Sequence, residues 1–465
     1  MARKQKKPFI PLFLISFIFV LLQSHSVSNA ADEETFQALN RKFSLNGILV
    51  SQESEKYAVI FDAGSTGSRV HVFRFDKNMD LLRIGNDFEF FNSTKPGLSA
   101  YADDPKAAAL SLKPLLVQGQ AVVPEDLRPH TPIKLGATAG LRMLKNGAAD
   151  RILEAVRDLF NNESSLEYEA EWVSILDGSQ EGSYMWIAMN YMLGKIGKPY
   201  SQTIATLDLG GGSVQMTYAI SEENAAKAPI PNEGEAYVHE KYLLGKKYYL
   251  YAHSYLYYGQ LAARAEIFKV TRNSSNPCIL DGYDGFYTYG GVVYKASPPR
   301  SGSSFKKCRE VTLKALKVKA PCNYDKCTFN GTWSGGGGAG QKNVYAASFF
   351  FDIAKESGII SADKDVYSGR ARPIDYRDAA SVACKTKYED VKSVFPNIYD
   401  EDLPYLCMDL VYEYSLLVDG LGLDPYKKIT LVNKINYKNT LMGAAWPLGS
   451  AIEAVSSLTN WRMFQ

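Results

Sequence analysis

FDAGSTGSRV, residues 61–70, sits between the apolar run AVI and the stretch VHVFRF. Glycines at 64 and 67 leave backbone N–H groups free to converge on an anion with no side chain in the way. Ser65, Thr66 and Ser68 add hydroxyls, and Asp62 leads the stretch in. The lysine that follows the second glycine of a P-loop is missing. The flanks read as strand (YAVIF), turn (DAGSTGS) and strand (RVHVFRF). A hairpin at this place argues against Rossmann and P-loop units, in which a helix starts at the glycines.

The pattern returns in TIATLDLGGGSVQMTYAI, residues 203–220, again as strand, glycine turn and strand. Without gaps, Asp62 falls on Asp208 and Gly64 on Gly210, both 146 residues apart. Asp-x-Gly after a strand is common in turns, so the weight rests on two copies with the same flanks. They read as one phosphate-binding hairpin per domain, facing each other across a cleft. Gly210, Gly211 and Gly212 supply the second set of N–H groups, and Ser213 a hydroxyl. Two carboxylates aimed into an anion site repel phosphate unless a divalent cation lies between them. Mg2+ or Ca2+ fits Asp62 and Asp208, and takes over much of the missing lysine's work.

Between the copies, IKLGA (133–137) reads as a buried strand and TAGLRML as a turn and helix. Ile152, Val156 and Leu159 recur at helical spacing in AADRILEAVRDLF. EWVSIL reads as a strand, and EGSYMWIAMNYML as a buried helix with Glu181 in its first turn, flanked by Gly178 and Gly182. As a general base for an attacking water, such a glutamate contributes on the order of 10²–10⁴-fold. A glutamate in a first turn also simply stabilises the helix dipole. Thr138 is equally open, since a threonine at a helix start is an ordinary N-cap.

At 465 residues the chain exceeds one ordinary core, and two domains are expected: 55–178 with 437–465, and 179–436. Arg3, Lys4, Lys6 and Lys7 precede FIPLFLISFIFVLL, and VSNA ends at Ala30. This pattern predicts a secretory signal cut after Ala30, with an uncleaved signal anchor as the alternative, followed by a polar lead-in over 31–54. Without residues 1–30 the formal charge moves from +2 to −2, which gives nucleic-acid binding little electrostatic support. All six cysteines lie between Cys278 and Cys407, an even number suited to an oxidising compartment. Cys322–Cys327, Cys278–Cys308 and Cys384–Cys407 form the least entangled of the pairings six cysteines allow. Sequons stand at Asn92, Asn162, Asn273 and Asn330.

The second half is less regular. YVHEKYLLGKKYYLYAHSYLYY carries eight tyrosines in 22 residues and reads as a strand followed by a helix to Phe268, with core packing favoured over a stacking surface. Residues 273–340, with GGGG at 335–338, read as a disulfide-tied loop region. Residues 405–423 read as a helix, KITLV as a strand, and LMGAAWPLGSAIEAVSS as a helix interrupted at Pro-Leu-Gly that returns to the first domain.

DAGSTGSR, LGATAGLR (135–142), LDGSQEGSY (176–184) and DLGGGSVQ (208–215) resemble, in order, the characteristic regions of the apyrases, the nucleoside triphosphate diphosphohydrolases. WPLG (446–449) resembles the last of them, and the legume apyrases, also called lectin nucleotide phosphohydrolases, look most similar. The resemblance covers roughly residues 55 to 460. It implies an α/β fold of two actin-like (ribonuclease-H-like) domains with a nucleotide cleft between them. It also implies Ca2+- or Mg2+-dependent hydrolysis of nucleoside triphosphates and diphosphates to monophosphates. Glu181 matches the base, Ser213 and Gln215 the residues that orient the water, and Asp62 and Asp208 the ligands to metal-bound waters. Gly64, Ser65, Thr66, Gly67, Thr138 and Gly210 to Gly212 match the phosphate groove. No motif fixes a base clamp; Phe350 in YAASFFFD is the candidate. The expected place is the secretory pathway, at the cell surface, outside the cell or in the Golgi lumen, with membrane contact only through an N-terminal anchor. The rival expectations are an exopolyphosphatase on the same fold and a lectin-type receptor for oligosaccharide signals.

Overall fold

The protein is described by a computed structural model over residues 55–64, 66–230, 236–272 and 275–462. The expected signal and lead-in, Ser65 and the Asn273 sequon lie outside these residues.

β1 (Lys56–Ala63) is apolar on both faces, so it needs cover on both sides and becomes a central strand. It pairs antiparallel with β2 (Ser68–Phe75), which sets Asp62 opposite Arg69 and Ala63 opposite Ser68. β3 (Leu81–Leu82) and β4 (Phe90–Thr94) flank β2. On the other side β5 (Ile133–Ala137) runs parallel to β1 and β6 (Val173–Ile175) parallel to β5. The second sheet repeats this plan. β7 (Ala205–Leu209) and β8 (Ser213–Ile220) form the hairpin, with Asp208 opposite Gln215. β9 (Val238–Leu243) and β10 (Lys246–Leu256) extend it past β8. After a separate hairpin of β11 (Gly285–Tyr289) and β12 (Val292–Ala296), β13 (Val344–Ser348) runs parallel to β7. β14 (Ser368–Ala371) and β15 (Ile429–Val432) complete that sheet, and β16 (Lys434–Tyr437) pairs with β17 (Thr440–Gly443). The orders β2-β1-β5-β6 and β8-β7-β13-β15 are the same motif twice, as two actin-like halves require.

Five helices position the site: α1 (Ala139–Arg142), α2 (Gly178–Met192), α3 (Gln260–Thr271), α4 (Phe349–Glu356) and α5 (Pro447–Arg462). α2 packs on β8 and β10 of the second sheet, and α5 packs on β1 and β2 of the first. The two helices meet along a shared core containing Ile60, Phe73, Met185, Trp186, Trp446 and Ala451. The tail of the chain thereby closes the first sheet.

Three expectations are corrected. The tyrosine-rich stretch is not one strand and a helix: Leu244 and Gly245 both take positive φ and fold it into the β9–β10 hairpin. Residues 273–340 contain the β11–β12 hairpin and the helix Phe305–Ala315, so the region is less irregular than its composition suggests. Pro447 does not interrupt the last helix but begins it, while residues 440–443 form a strand. A proline is suited to a first helical position, where no partner for its N–H is needed. Tyr248, Tyr251, Tyr255 and Tyr258 are buried, so half of the tyrosine density is core, while Tyr242 and Tyr257 are exposed.

The disulfides join Cys278 to Cys308, Cys322 to Cys327 and Cys384 to Cys407. Asn162 and Asn330 are exposed and Asn92 is half-buried. Among the described residues no helix is long and apolar enough to cross a membrane.

The α2–α5 contact depends on Gly449, where an added Cβ would lie 2.0 Å from the Tyr184 carbonyl oxygen. Backbone cannot swing aside as a side chain can. Gly449→Ala is expected to lower stability by about 1–3 kcal/mol, the usual cost of overpacking, read as a lower denaturant midpoint at unchanged m-value.

Candidate active site

Both glycine turns close in the same way. The Gly64 N–H donates to the Gly67 carbonyl at 3.0 Å, and the Gly210 N–H to the Ser213 carbonyl at 3.0 Å. The 146-residue offset seen in the sequence therefore holds down to the single hydrogen bond. The second turn is anchored from behind by the start of α3. N–H groups of Gln260, Leu261 and Ala262 donate to the carbonyls of Gly210 and Gly211 at 2.8–3.0 Å, and Tyr257 N–H donates to Gly212 at 2.9 Å. These bonds use donors that a helix N-terminus otherwise leaves without partners. They also commit the loop carbonyls to the start of α3.

The turns share one cleft of about 620 Å³, lined by Asp62, Gly64, Thr66, Arg69, Thr138, Glu181, Asp208, Gly210, Gly211, Ser348 and Phe349. Gly212 lies beside it, against Ala139 and Met143 of the first half. Gly67 backs the first turn against the Thr94 carbonyl. Thr138 occupies the N-cap position of α1, but its side chain makes no capping bond and instead lines the cleft.

Glu181 reaches the cleft because α2 begins with glycines packed on the second sheet. A Cβ at Gly178 would lie 2.0 Å from Ser254 Cβ, and one at Gly182 would lie 2.4 Å from Thr217 Oγ1. The Glu181 carboxylate is paired with Arg142 of α1, and Gln215 Nε2 approaches it at 3.4 Å. Gln215 also donates to Ser213 at 2.7 Å and to Ser254 at 2.9 Å. Burial pushes the Glu181 carboxyl up to about 8; Arg142 opposes the shift, while the charges of Asp208 and Asp62 add to it. Burial likewise raises Asp208, against the hydrogen bond from Ser348, with the charge of Asp62 raising it further. Ser348 donates to Asp208 at 2.6 Å from a backbone at φ 60°, a conformation unusual for serine.

Asp62 and Asp208 offer carboxylate oxygens, with the hydroxyls of Thr66, Thr138 and Ser348 on the same cleft. This hard, oxygen-rich set suits Mg2+ or Ca2+. Among the described residues no cluster of three or more His, Cys, Asp or Glu could hold an ion directly. An ion here would therefore complete its shell with water and phosphate oxygens, as Mg2+ commonly does.

One expected site residue is displaced. Phe350 is fully buried in the core of the second half and cannot face a nucleotide base. Successive residues of a helix point about 100° apart, and it is Phe349 that lines the cleft. Besides Phe349, residues that enter the site unforeseen include Arg69, Arg142, Ser254 and Ser348. Arg69 was legible, since a symmetric hairpin puts it opposite Asp62, and it donates to that carboxylate at 3.1 Å. Arg142 stands one helical turn after Thr138 in TAGLR. Ser254 and Ser348 carry no local signal, for only strand pairing brings them in.

Two actin-like halves, each offering a glycine turn to a common carboxylate-lined cleft, define a class of α/β proteins. The chain belongs to the GDA1/CD39 (nucleoside phosphatase) family, which it matches over residues 48–465. It is 58% identical over 449 residues to a protein named apyrase from Solanum tuberosum, covering 97% of both chains. It is 50% identical over 415 residues to a nucleoside-triphosphatase from Pisum sativum, covering 89% of this chain and 91% of that one. A crystal structure of nucleoside triphosphate hydrolases from Neospora caninum shares the fold with a TM-score of 0.58 at 14% identity, covering 92% of this chain and 97% of that one.

Gly259 gives a test of the second turn. A Cβ there would lie 2.3 Å from Ser213 N and 2.5 Å from both Gly210 O and Gly212 N. Gly259→Ala is expected to push the turn out of register and raise the KM for nucleotide at least several-fold. Circular dichroism should remain that of a folded protein.

Proposed function

We propose that the chain is an apyrase, hydrolysing nucleoside triphosphates and diphosphates to monophosphates and phosphate with the help of Mg2+ or Ca2+. The observation that carries this reading is the placement of both glycine turns, Asp62, Asp208 and Glu181 on one cleft. The 58% identity to a protein named apyrase supports it.

Backbone N–H groups of the two turns bind neighbouring phosphates from opposite sides, and the Thr66 and Thr138 hydroxyls add donors. A divalent ion near Asp62 and Asp208 supplies positive charge that offsets both the phosphates and these carboxylates. Ser213 and Gln215 orient a water against Glu181. The water oxygen attacks the terminal phosphorus in line, the bond from that phosphorus to the bridging oxygen breaks, and a water proton passes to Glu181. The base works only when ionised, so turnover falls as pH drops through its pKa. The raised value places this acid limb well above the ordinary carboxylate range.

An export route fits the reading, because three disulfides belong to an oxidising compartment. The lectin alternative is weakened, since four of the eight tyrosines behind it are buried.

Glu181→Gln is expected to keep nucleotide affinity and lower kcat by ~10²–10⁴-fold, measured as phosphate release beside equilibrium nucleotide binding. Near-normal release would remove Glu181 from the base role. EDTA is expected to abolish release from ATP and ADP, and added Mg2+ or Ca2+ to restore it. Metal-independent release, or release from polyphosphate but not from ADP, would overturn the apyrase reading.

A further inference from the structure

We infer that Arg142 is the positioning residue of the base: it fixes the orientation of the Glu181 carboxylate and makes the base competent only when α1, α2 and β10 are docked together. The inference rests on the assignment of Glu181 as base and adds a residue outside the substrate's reach.

Three segments far apart in the chain meet at this guanidinium. Arg142 ends α1 in the first half, beyond the phosphate-lining Thr138. One terminal nitrogen is paired with Glu181 on α2. The other donates to Ser254 Oγ on β10 at 3.4 Å, across 112 residues of sequence. The α2 start is shaped to receive it, since a Cβ at Gly178 would lie 2.6 Å from Arg142 Nη1. The arginine is almost fully enclosed, with its side chain 11% exposed, and Nε is buried without a hydrogen-bond partner. Arg128, by contrast, spends its Nε on the backbone carbonyls of Gln120 and Val123. Arg142 directs its terminal nitrogens to the base and to the serine that also accepts from Gln215.

The charges around Glu181 explain why a partner is needed. Burial is the largest effect, and the charges of Asp208 on β7 and Asp62 on β1 add to it; all three favour the neutral acid. Arg69 is engaged with Asp62. Arg142 is the group that favours the carboxylate. A planar guanidinium also fixes direction, which a lysine ammonium does not.

The test compares the full-length wild-type chain with Arg142→Met and Arg142→Lys in kcat and KM for ATP across roughly pH 5.5–9.5, which brackets the raised pKa of the base at about 8, with thermal midpoints for each. Arg142→Met should lower kcat by about 10²-fold, the usual cost of misplacing a reacting group, with KM changed less than about threefold, and should move the acid limb to higher pH. Arg142→Lys keeps the charge but loses the fork; it should restore most of the limb position and only part of kcat. In a Glu181→Gln background, Arg142→Met should cause little further loss, because its effect passes through Glu181. A wild-type kcat in either single variant, an unmoved limb in Arg142→Met, or the same fold-loss in the Glu181→Gln background would overturn the inference. A loss of kcat that merely tracks a lowered thermal midpoint would overturn it too. Should Arg142→Met not fold, the lysine variant decides alone: a pH-independent partial loss of kcat supports positioning, and full activity refutes it. Failure of the base assignment itself is visible separately, as high turnover in Glu181→Gln with Arg142 intact.

Discussion

Two backbone turns can hold one polyphosphate only if their N–H groups face each other and their carbonyl oxygens are held elsewhere. A peptide loop presents both signs of dipole, and a carbonyl left pointing at phosphate would cancel the benefit of its neighbours. In the second turn the carbonyls are claimed by the first N–H groups of α3. One set of hydrogen bonds thus serves two needs, since a helix start has spare donors and a glycine loop has spare acceptors. Gly259 is the steric condition for that contact, with no room for a side chain between the helix and the loop.

The same close approach recurs where helices dock around the cleft. Gly178 and Gly182 let α2 settle on the second sheet, and Gly449 lets α5 settle on α2. Helix-to-helix and helix-to-sheet distances this short leave no tolerance for a Cβ: the Tyr184 backbone stands in the way at Gly449, and the buried side chains of Ser254 and Thr217 at Gly178 and Gly182. That rigidity suits a site in which a nucleophile must meet phosphorus in line, where small displacements are costly.

Crowding three carboxylates in one cleft has an electrostatic consequence. Burial and mutual repulsion push Glu181 and Asp208 toward their neutral forms. Each is opposed by a specific donor, Arg142 at Glu181 and Ser348 at Asp208; Arg69 forms an ion pair with Asp62. The acids are thereby sorted by their neighbours. Two sit on equivalent strand ends beside the glycine turns, while the third sits on a helix start with an arginine behind it.

What the sequence settled by itself was local and repeated. Asp62 and Asp208 end apolar strands, glycines follow at the same interval, and hydroxyls fill the turns, so two equivalent hairpins were legible from a few residues each. The glutamate in the first turn of α2 was visible too, though its role was not, because a first-turn acid has an ordinary structural use. Strand pairing decided the rest. Ser348 meets Asp208 across 140 residues and Ser254 meets Arg142 across 112, and nothing in either neighbourhood announces the meeting. Phe349 rather than Phe350 faces the cleft because the angular setting of α4 is fixed by what packs beneath it, namely the core around Phe350 and Tyr376. Local pattern fixes which element a residue joins; only the packing of distant elements fixes which side chains share a site.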